Sequence, residues 1–216
     1  MSDKRRARSD EAKAQKRDGI IAAARSLFEK KDFASITVDA VAAEAGVAKG
    51  TVFVYFSTRE ELFLALAREL FAGFFADLLQ RISCAKDSKP ASLKKNINAS
   101  LRANGTLLRM LPLLNVLIEK NVSDEALKNF KFFLLEGLAR LGGAAEAKFS
   151  FLSKAGGGAR FFLWIYGIII GFLNLSQPAQ NVKRIIDKES MDPFRFDFDG
   201  ELDRFLDLFL KGIVDG

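Results

Sequence analysis

The stretch from Thr37 to Phe56, TVDAVAAEAGVAKGTVFVYF, constrains the fold of this chain more than any other. Val38, Val41, Ala42 and Ala45 recur at i, i+3, i+4 and i+7, the spacing of one helix face. Thr37 precedes them, and its hydroxyl can accept a hydrogen bond from an otherwise unpaired first-turn N–H. Gly46 follows the last periodic residue, where a chain leaving a helix commonly takes positive φ. A second helix then runs from about Ala48, with Val52 and Phe56 facing inward. Helix, short glycine-containing turn, helix is the arrangement of the DNA-binding helix-turn-helix, and also of a plain helical hairpin; spacing alone does not separate the two.

The residues themselves do separate them. AGVAKGTVFVYFSTREELF resembles the end of the DNA-binding domain of the tetracycline-repressor (TetR) family, usually written AGVSKGTLYYHFxSKExLL. Upstream, IIAAARSLFEKKDFASITVDAVAAEAG resembles that family's first helix and the start of its second. The resemblance covers about residues 17 to 63. Ala48 stands where Ser usually caps the recognition helix, which removes a cap worth about 1 kcal/mol. Asp32 replaces a usual Gly, and Asp is among the few residues that tolerate the left-handed region. Phe53 and Val54 replace the usual Tyr pair and Tyr55 a usual His, departures that bear on base contacts and not on the fold.

Charge and composition bound the remaining classes. The net charge is +6, and it is concentrated: Lys4, Arg5, Arg6, Arg8, Lys13, Lys16 and Arg17 crowd the N-terminus, opposed in that span by Asp10 and Glu11. Such a segment suits an acidic polymer as partner. The chain has no histidine and one cysteine, Cys84. His-based general bases, Ser-His and Cys-His nucleophile pairs and most zinc geometries are therefore excluded. With no Walker A loop and no GxGxxG, an enzyme is not expected, nor a cofactor or metal. A lone cysteine suits a reducing cytosol. No signal-type apolar run follows Met1, and the most apolar run, Phe161 to Leu173, is shorter than the roughly 18 residues of a spanning helix, so a cytoplasmic location without a membrane partner is expected.

Taken in order, residues 1–12 read as a flexible basic arm, 13–57 as the helix-turn-helix domain and 58–216 as a second, larger helical domain. The first helix runs from about Ala12 to Lys30, burying Ile20, Ala24, Leu27 and Phe28. A long helix starts at Thr58 with Glu60 and Glu61 in its first turn, where carboxylates suit the helix dipole, and reaches about Ser83; at about 1.5 Å per residue it is nearly 40 Å long. Helices from about Ala91 to Leu111 and from Pro112 to Lys120 are divided by the proline. Ser123 caps the next, which runs to about Lys148 with Gly142 and Gly143 as a weak point. Another extends to about Ser176, residues 178–199 are irregular, and the last, from Gly200 to about Val214, carries a clean apolar stripe. No strand pattern is found. The fold class is all-α, with about nine helices.

The candidate DNA contacts follow from this layout. Lys49, Gly50 and Thr51 open the second helix of the motif, whose N-terminal residues face base edges in helix-turn-helix docking. Lys49 can reach guanine O6 or N7, Thr51 a phosphate or a thymine methyl, and Gly50 lets the backbone approach. The Tyr55 hydroxyl suits a phosphate; Phe53 and Val54 can touch bases only through apolar contact. Arg5, Arg6 and Arg8 read either as an arm entering the adjacent minor groove or as a solvated tail. The resemblance implies that Thr37 and Arg59 clamp phosphates. It also implies a homodimer on a palindromic double-stranded operator, formed through the last two helices, and a small hydrophobic ligand bound among helices between about Phe63 and Tyr166. Phe161, Trp164, Ile168, Phe172, Leu202, Phe205, Phe209 and Ile213 are the expected dimer contacts. The rival reading is a helical protein-interaction adaptor with a degenerate helix-turn-helix, which Phe53 and Val54 favour.

Overall fold

The structure, a computed structural model, describes residues 2–215, with side chains from Asp10 onward. Ten α-helices and no strand are found among the described residues. They are α1 (Ser2–Lys30), α2 (Val38–Glu44), α3 (Lys49–Tyr55), α4 (Arg59–Ser83) and α5 (Pro90–Ala103). The rest are α6 (Gly105–Leu113), α7 (Asp124–Lys148), α8 (Gly158–Ser176), α9 (Gln180–Lys188) and α10 (Phe198–Asp215). The all-α class read from the sequence is the observed one.

Contacts divide the chain into two units, one of residues 1–70 with 113–131, the other of 71–112 with 132–216. The division falls inside α4, α6 and α7. In the first unit, α1 packs against α2 and buries Ile20, Ile21, Ala24, Leu27 and Phe28, and Val41 of α2 and Val52 of α3 are buried in the same unit. Phe63 of α4 meets Phe33 edge-on with ring centroids 4.8 Å apart, and Phe28 at 5.8 Å. In the second unit, α10 buries Leu202, Leu206 and Leu210 and packs against α5 and α8. Lys94 of α5 pairs with Asp207 at 2.7 Å and Asp203 at 3.2 Å, which holds its ammonium above the ordinary lysine range, chiefly through Asp207.

Several boundaries differ from the sequence reading. Helix α1 begins at Ser2, not near Ala12. The basic segment lacks an apolar period, but its Arg, Lys, Ala and Glu are good helix formers with no Gly or Pro among them, so it extends the packed helix backwards. Asp32 is extended (φ −71°), so it needs no left-handed conformation. The break in the middle of the chain is at Asn104, whose side chain donates to the Ser100 carbonyl at 2.8 Å, and not at Pro112. Pro112 lies inside α6, and the widened π-type turn Leu114–Ile118 follows, as expected where a proline supplies no N–H to the ladder.

Gly142 is a close-packing point rather than a weak one: α7 continues through it, and a Cβ there would collide with the backbone of Ala159. Gly158 has the same need against the Gly142 carbonyl, and its N–H donates to Glu146 Oε2 at 3.0 Å. The segment expected to be irregular contains α9, where Val182, Ile185 and Ile186 give a short i, i+3, i+4 pattern with no fully buried residue. Helix α8 has 19 residues, longer than the apolar run within it, and by length and composition alone it is sufficient to cross a membrane. It nevertheless buries Phe161, Phe162, Ile165, Ile169 and Leu173 in the second unit.

Candidate DNA-binding site

The helix-turn-helix forms for the reasons visible in its sequence. The Ala40 N–H donates to Thr37 Oγ1 at 3.2 Å and caps α2. Gly46 takes φ +65° and turns the chain out of that helix. No side chain caps α3 at Ala48. Val52 and Phe56 are buried, which fixes the opposite face of α3 outward. That outward face carries Lys49, Gly50, Phe53 and Val54, all exposed, with Val54 78% and Phe53 46% accessible. Thr51 and Tyr55 are half-buried at its edges. A Cβ built on Gly50 meets nothing within 4 Å, so no packing inside the protein demands glycine there.

Two of the expected cations are engaged. Lys49 Nζ lies 2.8 Å from Asp39 Oδ2, in the first turn of α2. Arg59, expected to clamp a phosphate, is engaged within the protein. Its guanidinium donates to the Ile36 carbonyl at 3.0 Å and to Glu60 Oε1 at 2.8 Å, and it stacks over the Phe33 ring at 4.3 Å. A guanidinium has donors enough for all of these, and the geometry ties the start of α4 to the strand-like turn before α2. The side chains of Arg5, Arg6 and Arg8 lie outside the described residues; their backbone is helical, not an extended arm.

Sequence reasoning missed a cluster at the start of α4. Thr58 caps that helix, accepting from the Glu61 N–H at 3.0 Å, and Thr58 Oγ1 donates to the Asn121 carbonyl at 3.3 Å. Glu61 accepts from Ser123 Oγ at 2.7 Å, from the Ser123 N–H at 3.2 Å and from the Ser57 N–H at 3.1 Å. The hydrogen bond from the Ser123 hydroxyl is the main cause holding the Glu61 carboxyl below its ordinary value. The only signal was Ser123 as an N-cap; nothing local linked it to Glu61. Arg17 over the Phe56 ring at 5.1 Å was likewise invisible.

The expected dimer residues fall into two groups. Phe161 and Leu202 are buried inside the protomer, so they are core and not contact. Their stripes are wide enough to serve both purposes, and the pattern does not say which edge faces in. Phe209 stacks on Phe161 at 5.7 Å and on Phe205 at 5.3 Å, and Phe205 meets Phe172 at 5.9 Å. Ile168, Phe172, Phe205, Phe209 and Ile213 are half-buried, and Trp164 is 44% exposed. Leu163 and Leu208, not singled out from the sequence, are 55% and 68% exposed on the same two helices. Two asparagines of α5 are bonded within the second unit: Asn98 donates to Asp203 at 2.8 Å and Asn96 to the Arg81 carbonyl at 3.2 Å.

A capped first helix, a left-handed glycine turn and a second helix with an outward face open to solvent define a helix-turn-helix DNA-binding protein of the all-α class. Residues 20–66 match the family described as bacterial regulatory proteins, tetR family, and residues 64–215 match the tetracyclin repressor-like C-terminal domain. The chain belongs to the TetR family. The uncharacterized HTH-type transcriptional regulator YerO of Bacillus subtilis is 34% identical over 87 residues, which span 39% of this chain and 30% of YerO. Among solved structures, the fatty acid degradation regulator FadR of Bacillus halodurans is 20% identical with a TM-score of 0.56, covering 91% of this chain and 95% of that one. The TetR family repressor AlkX of Dietzia is 22% identical with a TM-score of 0.53, covering 92% and 95%. Bacillus subtilis FadR, solved in complex with stearoyl-CoA, is 17% identical with a TM-score of 0.52, covering 90% and 97%. At these identities the structural likeness shows the shared fold.

Proposed function

We propose that the chain is a cytoplasmic transcriptional repressor, not an enzyme, that reads a palindromic operator as a homodimer and releases it when a small hydrophobic ligand binds its C-terminal helices. The observation that carries the reading is the outward face of α3. It combines an unpacked glycine, one lysine and two large apolar side chains, Phe53 and Val54, left in water. A face of this kind suits a major-groove edge, where Lys49 meets guanine acceptors and the apolar pair meets thymine methyls. The Thr37 and Tyr55 hydroxyls beside it suit phosphates, which set register and not sequence.

Homodimerisation is supported by Leu163, Trp164 and Leu208, which leave an apolar face on α8 and α10 that one protomer does not cover. Gly167 and Gly171 on α8 leave its backbone open to close approach. For the ligand, a groove of about 170 Å³ between α4 and α7, lined by Phe75, Leu79, Phe133 and Arg140, lies in the expected range of residues. Gly137 makes room there, since a Cβ would collide with the Phe75 ring. A cavity of about 520 Å³ beside α9, lined by Leu175, Ile186, Phe194 and Phe196, lies outside that range. Relatives named for fatty acid degradation and for n-alkane biodegradation support an apolar ligand.

The test is selection of bound duplexes from random DNA with the purified full chain, followed by a salt titration on the enriched duplex. A regulator enriches an inverted repeat and binds it with a steep log–log salt slope. No enrichment and a shallow slope would return the chain to the adaptor reading. Titrating stearoyl-CoA into the complex then tests ligand release.

A further inference from the structure

Lysine at the first position of a helix is electrostatically misplaced, because the unpaired N–H groups there already form the positive end of the dipole. Lys49 occupies that position in α3, and it is the only charged residue in the helix, KGTVFVY. Asp39 offsets the misplacement from α2. Its carboxylate sits in the first turn, where a negative charge is favoured, and its Oδ2 is 2.8 Å from Lys49 Nζ. Both side chains are more than half exposed, 53% for Lys49 and 65% for Asp39, so the pair adds little to the stability of the fold. Glu44, the other carboxylate of α2, accepts from Ser26 Oγ at 2.8 Å instead. The reading helix therefore presents its single cation already matched by a fixed anion.

That arrangement has a consequence for discrimination, which rests on the DNA-binding reading above. Non-specific affinity comes from cations that neutralise phosphates and release counterions. A lysine held by a carboxylate gains little from a phosphate: it exchanges one anion for another and leaves Asp39 facing the DNA backbone. A guanine edge is different, because O6 and N7 accept from an ammonium that keeps its carboxylate partner, the ammonium having three donors. We propose that Asp39 is a specificity-determining residue that holds Lys49 away from phosphates and so suppresses binding to the wrong DNA. No contact between Asp39 and a base is required.

The experiment compares the full-length parent, Asp39→Asn and the double variant Asp39→Asn/Lys49→Ala. Each is measured on a random-sequence duplex and on the tightest duplex from selection, across a range of salt. With Lys49 released, Asp39→Asn should bind the random duplex about fivefold more tightly, with a log–log slope steeper by about one unit. Its affinity for the selected duplex should rise less, so the ratio between the two falls. Adding Lys49→Ala should abolish both the gain and the extra slope. A variant Asp39→Asn that folds, binds and keeps the parent's slope and ratio would overturn this inference alone, as would weaker binding to both duplexes. A parent that binds no duplex would overturn the DNA-binding reading itself and this inference with it. Circular dichroism of each variant separates these outcomes from misfolding.

Discussion

Glu61 offers the sharpest prediction about how the DNA-reading unit is held together. It lies where the N-terminal family description applies, and Ser123 where the C-terminal one does, yet both belong to the first structural unit. Glu61→Ala removes a charged acceptor from three donors at once: Ser123 Oγ at 2.7 Å, the Ser123 N–H at 3.2 Å and the Ser57 N–H at 3.1 Å. A hydrogen bond to a charged group is worth about 1.5–3 kcal/mol when well buried, and these donors are exposed enough for water to replace part of each. The better helix propensity of alanine returns a few tenths of a kcal/mol. The net expectation is a loss of about 1.5–2.5 kcal/mol at neutral pH, of which about 1 kcal/mol is coupling to the Ser123 hydroxyl.

The assay is urea unfolding of parent, Glu61→Ala, Ser123→Ala and the double variant, with midpoints compared at constant m. The cycle removes the separate effect of losing Ser123 as the cap of α7, a bond of 3.4 Å to the Ala126 N–H. The pH dependence supplies the sign. The Ser123 hydroxyl, chiefly, depresses the carboxyl of Glu61 in the folded state below its ordinary 4.5. Its contribution is therefore full above the unfolded value and is lost as the pH falls through the folded one. A coupling energy near zero at pH 7, or a parent-to-variant difference that grows on acidification, would refute this account.

Arg59→Ala should destabilise the fold by about 2–3 kcal/mol, because it leaves the Ile36 carbonyl and Glu60 without their donor; a salt slope flattened by about one unit at unchanged stability would restore its role at phosphate. Gly142→Ala should lower the urea midpoint by an amount worth about 1–3 kcal/mol despite its better helix propensity, since the colliding atoms are Ala159 backbone; an equal or higher midpoint would disprove close packing of α7 on α8. Leu208→Asp is a cleaner test of the dimer than Phe209→Asp, because Leu208 is 68% exposed while Phe209 stacks inside the protomer. It should raise the dimer dissociation constant more than about tenfold in sedimentation without changing folding, and an unchanged constant would move the interface elsewhere.

What could be read from the sequence was what a short window encodes. The Val38 to Ala45 period, the Gly46 turn and the buried Val52 and Phe56 all rest on residues within about two helical turns of one another, and all stand in the structure. The stripe of α10 was legible for the same reason. What was not legible depends on partners distant in sequence. Arg59 looks like a free cation at a helix start until the Ile36 carbonyl, 23 positions away, takes its donor. Glu61 looks like a dipole carboxylate until Ser123, 62 positions on, bonds to it. Leu202 and Phe205 both lie on the apolar stripe of α10; only the tertiary fold decides that the first is fully buried and the second half-buried. The misplaced break at Pro112 has a local cause, since a proline near the end of a helix can be absorbed by a widened turn that no residue pattern announces.

The helical state of the basic segment changes what it can do. An α-helix with its side chains is about 10–12 Å across, whereas the minor groove of B-DNA is about 6 Å wide. An extended arm enters that groove, as homeodomain arms do, but a helix does not fit. As part of α1, the segment can approach only the phosphate backbone, unless its N-terminal turns unwind on contact. Lys13 and Lys16, exposed on the same helix, extend the positive surface toward the packed end. On the DNA-binding mode proposed above, with Arg59 bonded inside its own unit and Lys49 matched by Asp39, α1 would supply most of the electrostatic attraction and α3 the choice of sequence. The two terms would then separate by salt: phosphate contacts weaken steeply with ionic strength, while a preference among bases carried by α3 would persist.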